Sequence, residues 1–199
     1  MARSDPTWIT DSTALRALAH PLRWQLVQLF DLEPTMTATR CAELTGESVG
    51  TCSYHLNTLA RYGFIEPASA SNGREKPWRS ASHDISWRAG GEGLDDEGAM
   101  AAVALSDVAM DDLAGQLKAW FRRRSREAPE WADATGLSEA VAYVTPEELA
   151  DLTRELRELA NRFDERARDA SKRPPGARPA RIITSTSLRR SAEEDGSGA

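Results

Sequence analysis

The stretch 37–63, TATRCAELTGESVGTCSYHLNTLARYG, constrains this chain most, because only three residues separate its two helical segments. Thr37 or Thr39 caps the first segment, which runs to about Leu44. Thr45-Gly46-Glu47 has room only for a tight turn, and Gly46 supplies the left-handed backbone that a side chain resists. Ser48 caps the second segment, which extends to Tyr62 and is closed by Gly63. Val49, Cys52, Leu56 and Leu59 recur three, four and three residues apart, which predicts one inward-facing side.

The flanking segments extend the pattern. In 11–30, DSTALRALAHPLRWQLVQLF, Leu15, Leu18, Leu22, Leu26 and Leu29 return at helical spacing. Pro21 lacks an N–H and clashes with the preceding turn of a helix, yet suits the first position of a new one. The spacing therefore predicts a short helix to about Ala19 and a second from Pro21 to Phe30, stopped by Glu33-Pro34. After Gly63 the period becomes extended: Phe64-Ile65-Glu66 and Trp78-Arg79-Ser80 bracket SNGREK, whose Asn72-Gly73 is a hairpin turn signal. Pro77 fits the start of the returning strand, and Ile85 to Trp87 reads as a short third strand. Helix, turn, helix and basic-tipped hairpin, in that order, are the parts of a winged helix-turn-helix domain at about 11–88.

The rest reads as a second part. Gly90-Gly91-Glu92-Gly93 with Asp95, Asp96 and Glu97 forms a flexible acidic linker or an acidic helix start. Met100, Val103, Met110, Leu113, Leu117 and Phe121 then mark an amphipathic helix from about Asp95 to Arg124. Leu137–Val144 reads as a strand that pairs with a second at Ala180–Thr184. Thr145-Pro146-Glu147-Glu148 is a capping box with proline at the first helical position. The helix it starts sets Leu149, Leu152, Leu156, Leu159 and Phe163 along a seam of about two heptads.

The expected fold class is thus mainly α with a small β-wing. A winged helix-turn-helix domain is followed by a helical dimerisation region at 95–170 and an irregular tail at 171–199. Exposed leucine seams are costly for a lone chain, whereas burial between two chains gains about 25 cal/mol per Å². Met100, Val103, Met110, Leu113, Leu117, Leu149, Leu152, Leu156, Leu159 and Phe163 are therefore the expected homodimer interface. The alternative is that these faces pack on the winged helix of their own chain.

Charge is informative only in its distribution. The net charge is −6, but residues 1–88 hold nine Lys/Arg against nine Asp/Glu, and the remainder sixteen against twenty-two. A neutral first part beside an acidic second part repels phosphate in general, which suits a sequence reader better than a general DNA coat. No apolar run approaches the ~20 residues needed to span a bilayer, and the first ten residues lack the layout of a secretory signal. A cytoplasmic protein with no membrane partner is expected.

A helix that enters the major groove needs small or polar residues in its first turns so that the backbone can approach. Ser48, Gly50, Thr51, Ser53 and Tyr54 meet that need, with His55 and Asn57 one turn further on. Arg61 is placed for a phosphate, and Arg74, Lys76 and Arg79 would set the hairpin over a flanking groove. Double-stranded DNA is the partner these residues imply. The plainer reading is a winged helix used for protein contact or scaffold, with Ser48 only a cap and His55 only packing.

ALAHPLRWQLVQLF, then TGESVGTCSYHLNTLARYGFIE, then GREKPW together resemble the ArsR-type winged-helix regulators, over about residues 12–88. The likeness is nearest the actinobacterial branch with an appended helical C-terminal part. It implies a homodimer on an inverted-repeat operator, often a repressor, with DNA contacts from Ser48 to Asn57 and from the wing near Arg74. One departure matters. Metal-sensing members carry a cysteine pair beside an acidic residue on the helix before the recognition helix, whereas here that helix reads TRCAEL, with Cys41 alone.

Cys41 and Cys52 are expected to behave as small buried hydrophobes. His20, His55 and His83 form no ligand-spaced cluster, so no metal site and no cofactor are expected. Trp78, Trp87, Trp120 and Trp131 flank the junction of the two parts and could line an apolar pocket for a small-molecule effector, or simply pack. No P-loop, GxSxG, HExxH or dinucleotide fingerprint is present, and an enzyme is not expected.

Overall fold

The computed structural model describes residues 8–68, 76–81, 85–88 and 93–189. The fold is mostly helical with one small antiparallel sheet, and it divides into two compact units, Met1–Thr135 and Gly136–Ala199.

In the first unit, α1 (Ser12–Leu18) starts on Asp11, whose carboxylate accepts from Thr13 N at 2.9 Å. Those hydrogen bonds hold the Asp11 carboxyl below its ordinary range. The chain breaks at His20, and α2 (Pro21–Leu29) begins with proline in its first turn, as the sequence predicts. Arg23 of α2 reaches back to the carbonyls of Arg16 and Ala17, satisfying the open end of α1.

Thr37 caps α3 (Ala38–Thr45), and Gly46, at φ 77°, ends it in the left-handed conformation. Ser48 then caps α4 (Val49–Arg61). Arg40 fastens the start of α3 through Glu33 and Glu43, and the Arg40 guanidinium lowers the Glu33 carboxyl.

The sheet has the order β1-β3-β2, formed by β1 (Thr35–Met36), β2 (Ile65–Pro67) and β3 (Trp78–Ser80). Strand β3 pairs antiparallel with both neighbours: Met36 and Pro67 face Trp78, while Thr35 and Glu66 face Arg79. The third strand is therefore β1 and not the expected 85–87. That segment makes one parallel bridge, Trp8 to Ser86, closed by Ile9 N donating to Ser86 O at 2.9 Å.

Helix α5 (Asp96–Arg123) has 28 residues, about 42 Å at 1.5 Å per residue. Asp95 caps it, as the acidic start implied. Its first half joins the core through Ala101, Ala102, Leu105 and Ala109, beside Leu15, Leu18, Leu26, Phe30, Leu56 and Leu59. Small residues let α1 and α2 approach closely. At Gly98 a Cβ would stand 2.9 Å from Leu94 Cδ2, closer than real contacts allow. Trp87 Nε1 donates to Ser106 Oγ at 2.9 Å, and Gln28 donates to Asp112 at 3.0 Å.

The large apolar residues of α5 lie elsewhere. Met100, Val103 and Met110 are exposed, whereas Leu113 and Leu117 are half-buried. After α5 comes a 3₁₀ turn and the short α6 (Pro129–Asp133).

The second unit contains α7 (Pro146–Ala160) and the short α8 (Asp164–Arg168). The capping box forms as read: Thr145 N donates to Glu148 Oε2 at 2.8 Å, and Glu148 N to Thr145 Oγ1 at 3.2 Å. No residue of α7 is buried; Leu149 and Leu156 are half-covered, and Leu152 and Leu159 exposed. Phe163 is not on this helix but in a 3₁₀ turn, Asn161–Phe163, so the seam ends one step short. The strand pair expected at 137–144 and 180–184 is also absent. Both segments are irregular and mostly exposed, with no backbone ladder between them. The 180–189 segment instead touches α7 through a Thr153–Thr186 hydroxyl pair at 2.9 Å.

Candidate nucleic-acid interface

Helix α4 has two faces of opposite character. Cys52, His55, Leu56 and Leu59 are buried, and the opposite face carries Gly50, Tyr54, Asn57 and Arg61, all exposed. Those four positions are separated by four, three and four residues, so they share one stripe of the helix. Val49, expected to point inward, is 48% exposed. It sits in the first turn, before the helix meets the core.

The first turn is built for close approach. Ser48 Oγ accepts from Thr51 N at 3.0 Å and shares a hydrogen bond with Thr51 Oγ1 at 2.8 Å, so both hydroxyls serve the cap. Gly50 adds no side chain, and Ser53 is half-buried. Tyr54 is 67% exposed. Asn57 Nδ2 rests on Ser53 O at 2.7 Å, a bond it must exchange to reach a base edge.

His55 corrects the sequence reading. The sequence offers it as a DNA contact or as packing; at 9% exposure it packs on the inner face, since helical geometry sets it about 40° from Leu59 and about 60° from Cys52. Its ring stacks on His20, which sequence reasoning treated as an isolated residue. The legible signal was the helical period, overridden by the polarity of the side chain.

The wing is described only in part. Arg74 lies outside the described residues, as does the Asn72-Gly73 turn. Lys76 is exposed. Arg79 is tied across the sheet to Glu66 at 2.6 Å, a neighbour fixed by the β2–β3 register, so part of its charge is already answered. The residues found together are therefore Gly50, Tyr54, Asn57 and Arg61, with Ser48 and Thr51 supporting them.

The cysteines pack as expected. Cys41 and Cys52 are fully buried, and burial pushes the Cys41 thiol up to about 11. No group of three or more His, Cys, Asp or Glu among the described residues could hold a metal ion. Of the four junction tryptophans, Trp78 and Trp87 pack against the core, and Trp87 meets Trp24 edge-on. An open apolar trough on α5, lined by Ala99, Met100, Val103, Ala104 and Asp107, includes none of them. No helix among the described residues is long and apolar enough to cross a membrane.

Residues 18–68 match the family model of a helix-turn-helix domain, so the chain carries such a domain from the end of α1 to just past β2. No curated protein matches the sequence. Similar solved structures include the heme sensor protein PefR from Streptococcus agalactiae in complex with heme, 17% identical, covering 75% of this chain and 77% of that one at a TM-score of 0.31. PefR in complex with heme and carbon monoxide is likewise 17% identical, covering 79% and 83%, also at a TM-score of 0.31. A superposition that loose carries no argument, and the heme is a property of those proteins.

Proposed function

We propose that this chain is a sequence-specific DNA-binding transcriptional regulator that reads an inverted-repeat operator as a homodimer, in the manner of the ArsR-type repressors. The observation that carries the reading is the outer face of α4. In a helix-turn-helix domain the second helix enters the major groove with its N-terminal turns on the bases. Here those turns are capped by Ser48, stripped of bulk at Gly50, and continue into exposed Tyr54, Asn57 and Arg61. No core demand explains an exposed tyrosine in that row.

Tyr54 and Asn57 are assigned to base edges, and Arg61 and Lys76 to phosphates. The exposed Met100, Val103 and Met110 of α5 and the Leu152 and Leu159 row of α7 are the surfaces assigned to the second copy. Two-fold pairing would bring two recognition helices about 34 Å apart, one turn of DNA.

Selection of fragments from sheared genomic DNA by the purified protein tests this. An enriched inverted repeat is the expected result. Folded protein that enriches nothing at low salt would overturn the reading in favour of a protein-contact adaptor.

A further inference from the structure

Behind the outer face of α4 lies a pair of side chains that DNA contact leaves unused. His20, at the N-cap of α2, and His55, on the inner face of α4, stack with ring centroids 4.7 Å apart and planes inclined by 38°. The Nδ1 atoms of both are buried, and neither has a hydrogen-bond partner among the described residues. Tyr54 meets the His55 ring edge-on at 5.1 Å. The exposed Tyr54 therefore leans on the buried His55, which in turn stacks on a half-buried His20.

The surrounding charges are few. Arg23 of α2 acts on both rings, and its guanidinium is anchored on the carbonyls of Arg16 and Ala17 at the end of α1. Glu47, in the turn before α4, opposes it at His55. Tyr54 and Tyr62, on α4 and at its C-cap, act on Arg23. A neutral imidazole donates through one nitrogen and accepts through the other, but a protonated one must donate through both. Protonating either ring would thus place a second cation near Arg23, and the buried, unpartnered Nδ1 of His55 would have to donate.

We propose that His20 and His55 form an acid-sensitive seat for the recognition helix: stacked and neutral, they hold α4 and Tyr54 in place, and protonation loosens α2 from α4 and erodes sequence-specific DNA binding. The binding half rests on the DNA reading of α4, whereas the seat itself does not. Burial, joined by Arg23, keeps His20 below its ordinary value; burial, then His20 and Arg23, do the same for His55. With the folded values depressed, the unfolded chain takes up more protons below about pH 6.5. Stability is therefore full above that pH and is lost as pH falls through the folded values.

The test follows the imidazole proton resonances of the full chain by NMR from about pH 8 to pH 5, with denaturant stability and DNA binding measured over the same range. Two histidines are expected to titrate below the ordinary value, and the unfolding midpoint to fall in the same window. Affinity for a selected site relative to unrelated DNA is expected to fall severalfold over the same window. His20→Phe keeps an aromatic partner for His55, removes one proton site, and is expected to flatten most of both changes.

If that variant fails to fold, the wild-type resonances still decide. Ordinary titration of both stacked histidines, with stability flat in that window, overturns the seat. A pH-dependent stability with an unchanged specificity ratio overturns its link to binding. Absence of DNA binding at every pH would sink the DNA reading and the binding half together, while the resonances and the unfolding midpoint still judge the seat.

Discussion

The two units of this chain are stabilised by different means. The first folds around a shared core in which Leu15, Leu18, Leu26, Phe30, Leu56 and Leu59 are all but inaccessible. The second has a well-capped helix, α7, on which no residue is buried. Capping satisfies the ends of a helix but provides no tertiary packing, and isolated helices of about 12–15 residues are marginal in water. The contrast teaches that local signals such as the Thr145–Glu148 box fix where a helix begins, while burial decides whether it persists.

The largest effect that could break this contrast is a cavity. Leu56→Ala, in the core behind α4, is expected to cost about 2–5 kcal/mol in urea denaturation. Leu152→Ala, on α7 at 40% exposure, is expected to stay within about 0.5 kcal/mol. Equal losses would mean that the second unit has a core of its own.

Next comes the proposed partner of the apolar α7 row. Leu152→Asp combined with Leu156→Asp is expected to halve the mass seen by light scattering while leaving the first unit folded. A dimer of unchanged mass would move the interface away from α7. Smaller again is the cap: Thr145→Ala is expected to cost about 1 kcal/mol of helix stability. Backbone chemical shifts over 146–160 would show the loss, with the unfolding midpoint of the first unit unmoved. Loss of the first unit along with the helix would contradict the separation.

Helix boundaries were legible because they are written in single residues: Pro21 at the start of α2, Ser48 and Gly46 around the turn, Asp95 and Thr145 as caps. Faces were harder. On α5 the large residues Met100, Val103 and Met110 carry the hydropathy signal, yet the buried positions are Ala101, Ala102, Leu105 and Ala109. Close helix approach selects small side chains, which carry a weak hydropathy signal. Strand β1 has two residues and no periodicity to read; only its pairing with β3 makes it a strand. The strands expected at 137–144 and 180–184 had suitable residues but no sheet to join. In the candidate site, the small and polar residues of α4 were legible as residue types, but which of them share the outer stripe follows from helical angle. For His55 residue type points to DNA and helical angle to packing, and the structure has it packed; the hold of Glu66 on Arg79 depends on strand register, which the separate segments do not reveal.

That last pair gives the smallest prediction and the sharpest view of the wing. Arg79 and Glu66 are both largely exposed, so their ion pair is worth about 0–1 kcal/mol to the fold. Its cost to DNA binding is separate, since an arginine paired with a carboxylate neutralises a phosphate less well. Glu66→Gln keeps the shape of the side chain and releases the charge of Arg79. Binding to a selected site is expected to tighten, and log K against log salt to steepen by about 0.9, the slope of one added phosphate contact. Lys76→Ala is expected to shift the same slope by a similar amount in the opposite direction. If Glu66→Gln leaves affinity and slope as they were, Arg79 faces no phosphate, and the contact surface is confined to α4 and the segment around Lys76.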